Sequence, residues 1–189
     1  MKVVKFHCLN CDIKFKSGKT AKLYCSDLCK QTAKFVRYVR ACTRDGRIER
    51  EDVLEAIQIR LAFILGDGYP EGDRYIPKLA REQIFQKYDG KCAKCGKPAT
   101  DIDHINGSSN NLENLQLLCK TCHNKKTKAG FTEITSEDEN YDAFIEKQKE
   151  ITHRIESKNP IKICDDDMNW DSIYKTELSK RRIVLKSAK

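Results

Sequence analysis

Cys92-Ala93-Lys94-Cys95 and Cys119-Lys120-Thr121-Cys122 enclose three further features: Asp101-Ile102-Asp103-His104-Ile105, a Gly/Ser/Asn loop over 106–111, and Asn114-Leu115-Gln116-Leu117-Leu118; His123 follows the last cysteine directly. Two CxxC pairs 23 residues apart place four thiolates on two tight turns, the tetrahedral sulfur set that zinc favours. Gly96 follows the first pair, where a knuckle turn often needs a positive φ. A closed set of Cys92, Cys95, Cys119 and Cys122 leaves no open coordination position, so its expected role is structural. The residues between the pairs read as strand, loop and strand, with a basic helix over about 121–129 after them. Strand alternation puts Ile102, His104 and Asn106 on one side and Asp101, Asp103 and Ile105 on the other.

The polar residues inside this clasp form a chemical inventory. Hydrolysing a phosphodiester needs a base for water, a cation near the scissile phosphate and a group that orients the base. A neutral histidine can be the base near pH 7. A carboxylate and an imidazole can hold one divalent ion and leave positions for phosphate oxygen and water. Asp103, His104, Asn114 and His123 supply these parts. Singly, each has a plainer reading: a surface Asp-His pair, a turn asparagine, an alternative zinc ligand beside Cys122.

In this order and bracketed by four cysteines, the pattern Cys92-x2-Cys95 … Asp103-His104-Ile105 … Asn114-Leu115-Gln116-Leu117-Leu118-Cys119-x2-Cys122-His123-Asn124-x2-Thr127 resembles the HNH endonucleases, the ββα-metal nucleases. The lead-in Arg81–Phe85 through Asp89–Cys92 is similar as well. The resemblance implies that His104 is the general base and that Asn114 braces the loop and helps orient it. It implies that Asp103 and His123 ligate a catalytic Mg2+ or Mn2+. Some members carry a further histidine four residues after the last one. Thr127 stands there in this chain, leaving two protein ligands, with Asp101 able to join through water. The implied activity is hydrolysis of DNA phosphodiesters, with double-stranded DNA as partner. A catalytically silent zinc-finger DNA-binding protein and an RNA-directed nuclease are the alternatives. Restriction, homing and phage DNA processing all use the motif, and a homodimer would suit double-strand cutting.

Working outward, Cys8-x2-Cys11 and Cys25-x3-Cys29 form a second quartet with different spacing, and His7 is an alternative ligand. A breaker-free stretch over Cys29–Cys42 predicts a helix behind it, as in a treble-clef finger. Lys30, Lys34, Arg37 and Arg44 are expected on its phosphate-facing side, and Phe35, Val36 and Val39 on the other. Residues 1–50 hold thirteen Lys/Arg against four Asp/Glu, and residues 131–170 five against eleven, so the overall +8 is concentrated at the N-terminus. Lys125, Lys126 and Lys128 add charge beside the clasp, and Lys180-Arg181-Arg182 adds a basic tail. The acidic 131–170 stretch is expected to fold back on the basic N-terminal half.

The chain shows no secretory leader pattern, and its longest apolar run, Leu61–Leu65, is too short to span a bilayer. Membranes and disulfide-built secreted folds are therefore not expected, and a cytoplasmic location with zinc-bound thiols is expected. Hydrophobic residues at 39% and charged residues at 34% argue against one large core. The predicted fold is α+β: an N-terminal zinc module (1–45), a helical connector (46–90), a zinc-stabilised ββα-metal domain (91–130) and a helical C-terminal segment (131–189). Helices are expected up to Gly66, from Pro77 to about Tyr88, over 139–157 and near Asn169–Ser179. Cys42 and Cys164 read as small buried residues, and Asp165-Asp166-Asp167 as a helix cap more than a metal site.

Overall fold

The computed structural model describes residues 4–18, 20–68, 75–106, 109–166 and 169–187. They fall into two compact units, one from residues 1–69 with 134–189 and the other from residues 70–133. Helices and two small antiparallel sheets make the class α+β.

The first unit begins with strands β1 (Val4–His7) and β2 (Lys14–Ser17), paired in the register Lys5↔Lys16 and Phe6↔Phe15. Cys8 and Cys11 sit in the connection between them. Helix α1 (Asp27–Arg44) starts under Ser26, whose hydroxyl accepts from Cys29 N at 3.2 Å. That cap explains the longer x3 spacing of the second pair. Cys25 precedes the cap and Cys29 lies one turn in, so the additional residue is the one that satisfies the helix's open N–H. Helices α2 (Glu51–Leu65), α5 (Tyr141–Glu156) and α6 (Trp170–Ser187) complete the unit. Phe35, Val36 and Val39 of α1 meet Ile64 of α2 and Ile151 of α5 in one buried cluster. The acidic stretch does return to the N-terminal part, but its helix is held by apolar packing, with the run at 136–139 exposed.

Two basic residues expected to face phosphates are buried instead. Arg37 is only 7% exposed, donates to Cys164 O at 2.7 Å and lies 3.7 Å over the Trp170 ring. Arg181, also 7% exposed, donates to Lys22 O at 2.8 Å and His7 O at 2.7 Å. No breaker follows Ser179, so α6 continues through the expected basic tail and carries Arg181 onto the N-terminal module. Lys30, Lys34 and Arg44 remain on the exposed side of α1.

Asp165 and Arg154 are buried together, Nε donating to Oδ2 at 3.0 Å and an Nη to Oδ1. Asp165 is therefore an ion-pair partner, neither cap nor metal ligand, while Asp167 lies outside the described residues. Cys42 and Cys164 are fully buried, and burial together with the Asp165 charge pushes the Cys164 thiol up to about 12, which makes it inert. Asp165→Ala should cost about 3–5 kcal/mol, because it strands a guanidinium in the interior. Denaturant unfolding checks this; a loss under about 1 kcal/mol would mean that water reaches Arg154.

The second unit is smaller. Helix α3 (Lys78–Lys87) ends at Tyr88, and a turn through Asp89 (φ 52) and Gly90 (φ 65) leads into the first CxxC pair. Strands β3 (Asp101–His104) and β4 (Leu115–Leu118) pair as Asp101↔Leu118 and Asp103↔Gln116, and α4 (Lys120–Ala129) follows. Ile76, Ile84, Ala99, Leu115, Leu117 and Leu118 bury a minimal core around Cys92. All of β4 is buried, so its one polar residue, Gln116, needs an internal partner and finds it in Asp103.

Candidate metal centres and active site

In each unit a β-turn and the first turn of a helix bring four thiols together. The sulfurs of Cys8, Cys11, Cys25 and Cys29 lie within 4.8 Å of one another, as do those of Cys92, Cys95, Cys119 and Cys122. Individual separations of 3.5 Å (Cys25–Cys29) and 3.6 Å (Cys11–Cys25, Cys95–Cys119) approach the ~3.8 Å that a tetrahedron with ~2.3 Å Zn–S bonds requires. Backbone N–H groups point at the first sulfur of each set, Asn10 N at 3.4 Å from Cys8 and Lys94 N at 3.4 Å from Cys92. Burial pushes the Cys92 thiol up, but N–H bonds from Cys119, Lys94 and Cys95 outweigh it and bring it to about 6. Its neighbour Cys122 is driven up to about 12, chiefly by hydrogen bonding with the Cys119 and Cys95 sulfurs. Four thiolates ionise together only around a cation, and both clusters are zinc-binding sites by donor set and spacing. His7 is turned to Asp12, Nδ1 lying 3.0 Å from the Asp12 carbonyl, so the N-terminal set is the four cysteines. Gly96 adopts the expected positive φ, 72°.

The polar group beside the second clasp is built on β3 and α4. Asp101 and Asp103 share a strand face, and both reach the imidazole of His123: Asp101 Oδ2 lies 3.0 Å from Nδ1 and Asp103 Oδ1 3.6 Å from Nε2. A carboxylate accepts from Nδ1–H, which leaves the Nε2 lone pair facing Asp103. The other oxygen of Asp103 accepts from Gln116 Nε2 at 2.8 Å and Lys126 Nζ at 2.6 Å. Asp103 Oδ1 and His123 Nε2 thus remain as two inward donors. Adjacent donors on an octahedral ion with ~2.1 Å bonds stand about 3 Å apart, so the pair fits a divalent cation after closing by roughly half an ångström.

Lys126, expected on a phosphate-facing surface, instead turns inward, its ammonium also donating to the carbonyls of His104 and Ile105. Its position three residues after His123 puts the two on one face of α4, the only sequence signal of this contact. Lys125 and Lys128 stay exposed. Thr127, at the place of a possible third ligand, donates its hydroxyl to His123 O at 3.1 Å.

His104 ends β3. Asn114 makes no hydrogen bond to its ring. The Asn114 amide clamps the loop, accepting from Asn106 N at 2.9 Å and donating to Asn106 O at 2.7 Å and Ser109 O at 2.8 Å. The residue that meets the imidazole is Asn110, with Oδ1 3.0 Å from His104 Nε2. Asn110 Nδ2 donates to Tyr75 O at 3.0 Å, which assigns the amide's orientation and makes Oδ1 an acceptor. In the tautomer that donates to Asn110, the His104 proton is on Nε2, and among the described residues Nδ1 has no hydrogen-bond partner. One asparagine among several in a loop offered no sequence signal for this role.

Residues 92–129 match the family model described as HNH endonuclease. Comparisons with curated proteins and with solved structures give no match. The match and the four-cysteine clasp together make this segment an HNH endonuclease domain, which supports nuclease activity on nucleic acid in general. Among the described residues, no helix is long and apolar enough to cross a membrane.

Proposed function

We propose that the protein is a DNA endonuclease in which His104 is the general base and Asp103 and His123 hold one catalytic Mg2+ or Mn2+. The observation that supports this most directly is that each histidine has one ring nitrogen beside an acceptor, His104 Nε2 at Asn110 Oδ1 and His123 Nδ1 at Asp101 Oδ2. That arrangement leaves the other nitrogen to act as base or ligand. Asn110 Oδ1 holds the His104 proton on Nε2, so Nδ1 takes the proton of the attacking water. Asn114 keeps the loop that carries Asn110 closed. Asp101 fixes the tautomer of His123, and Gln116 and Lys126 hold the Asp103 carboxylate so that Oδ1 faces His123. A bound divalent ion supplies positive charge for the phosphate and the departing oxygen. Lys126 offsets part of the Asp103 charge, so an ion held by Asp103 and His123 would be bound weakly. The two zinc sites stay out of the chemistry, and the thiol-rich composition suits a reducing cytoplasm.

The test is supercoiled plasmid incubated with zinc-loaded protein and magnesium or manganese. Nicked or linear product that requires the added metal is the expected result. Intact plasmid with both metals, alongside cleaved structured RNA or no cleavage at all, would remove the DNA reading.

A further inference from the structure

The β1–β2 hairpin carries a charge arrangement that its own stability does not ask for. Its register places Lys5 directly opposite Lys16 and His7 opposite Lys14. Alternation divides the hairpin sharply. Lys5, His7, Lys14 and Lys16 are exposed, while Phe6 and Phe15 turn to the other side. Side chains directly opposite in an antiparallel pair stand about 5 Å apart, and neighbours two along a strand about 7 Å apart, so three ammonium groups share one small patch.

Like charges in opposite positions destabilise a sheet. A merely solvated face would be served as well by Lys opposite Glu or Thr. Among the described residues, Lys5, Lys14 and Lys16 have no acidic partner; the nearest acid on the hairpin, Asp12, engages His7 at 3.2 Å. Some exposed lysines are neutralised locally, Lys78 by Glu82, Lys149 by Glu146 and Lys180 by Glu177. Others, such as Lys34, Lys94 and Lys125, are unpaired among the described residues, but the hairpin sets unpaired Lys5 and Lys16 directly across the strands from like charge.

The patch is also rigidly backed. Phe15 packs on the cluster around Cys8 and Leu23. The Arg181 guanidinium lies 5.1 Å over the Phe6 ring and binds the strand-end carbonyl of His7 at 2.7 Å. The zinc knuckle follows immediately at Cys8. A rigid cluster of unneutralised cations binds phosphates with little ordering cost and gains from counterion release.

We propose that this hairpin face is a duplex-DNA backbone site, with Lys5, Lys14 and Lys16 each neutralising a phosphate. The site rests on the proposed DNA substrate, supplies affinity without base recognition, and is separate from the exposed face of α1. The repulsion between Lys5 and Lys16 is then a stability cost retained for binding.

The test is binding of a non-cleaved duplex by zinc-loaded full-length protein with no magnesium or manganese added, over a range of salt. The triple variant Lys5→Gln, Lys14→Gln, Lys16→Gln should lower affinity at low salt at least about tenfold. It should reduce the slope of log affinity against log salt by about 2–3, near 0.9 for each phosphate that is no longer neutralised. Its zinc content should be unchanged and its unfolding temperature equal or higher by roughly 1–4 °C. Replacing Lys78, Lys149 and Lys180 by Gln, the same change in net charge, should leave the slope within about 0.5 of the parent. The inference is overturned if the hairpin variant keeps the parent slope, if both triple variants lower it equally, or if the parent's lysine-dependent binding prefers structured RNA to duplex DNA. These outcomes are distinguishable from failure of the nuclease reading, in which the parent binds duplex with its full salt slope and never cuts it.

Discussion

His104→Ala is expected to slow plasmid cleavage by roughly a hundred- to ten-thousand-fold, the range for loss of a positioned general base, with zinc content, unfolding temperature and duplex binding unchanged. The structural reason for so clean a separation is the place of the residue. His104 is the last residue of β3, its ring is only partly buried, and its Nε2 meets one loop amide. Its backbone carbonyl, which takes the Lys126 ammonium, survives the substitution. Asn110→Ala should cost less, about ten- to hundred-fold, because it frees the tautomer without removing the base. Parental cutting by His104→Ala would place the base elsewhere and sink the mechanism.

Cys119→Ser should have the largest effect on the fold. Cys119 is placed to ligate the second zinc from the cap position of α4, two of the other three thiols lie in the turn after α3, and the buried apolar set around them is small. Structural zinc contributes on the order of 10–16 kcal/mol in small zinc modules, more than a few leucines can replace. The zinc count should fall from two per chain to one. Hydrogen exchange should show β3, β4 and α4 losing protection while α1, α2 and α5 keep theirs. If the variant retained two zincs or a protected β4, the clasp would not be what holds this unit together.

The second clasp, both of its strands and the helix behind it are legible in the sequence, because ligand spacing and two-residue alternation are local properties. Gly96 and the stop at Gly66 are legible for the same reason. Buried arginines are not. Arg37 and Arg181 look in sequence like any DNA-facing cation, since their acceptors, Cys164 O, Lys22 O and His7 O, are more than a hundred residues away along the chain. Lys126 misleads more subtly. Its charge is legible, but whether a lysine points out or in depends on the carboxylate opposite, here Asp103 across the β3–α4 contact. Asn110 and Asn114 are indistinguishable by type; only the loop's closure decides which holds backbone and which meets His104. The β1–β2 hairpin escapes a sequence reading because its strands are four residues each and alternate lysine with apolar residues that a charge count passes over.

The second cysteine pair of each quartet straddles the start of a helix: Cys25 and Cys29 at α1, Cys119 and Cys122 at α4. Starting a helix is its costly step, since the first turn fixes several residues for a single bond, a penalty of about a thousandfold. An ion that grips both ends of that first turn removes most of this penalty. Helix growth in both units should therefore begin at the metal and run outward. Newly made chain in a zinc-starved cell would lack the α4 scaffold for His123 and the α1 frame of the N-terminal module alike, so the supply of one trace metal would govern the working form before any substrate is met.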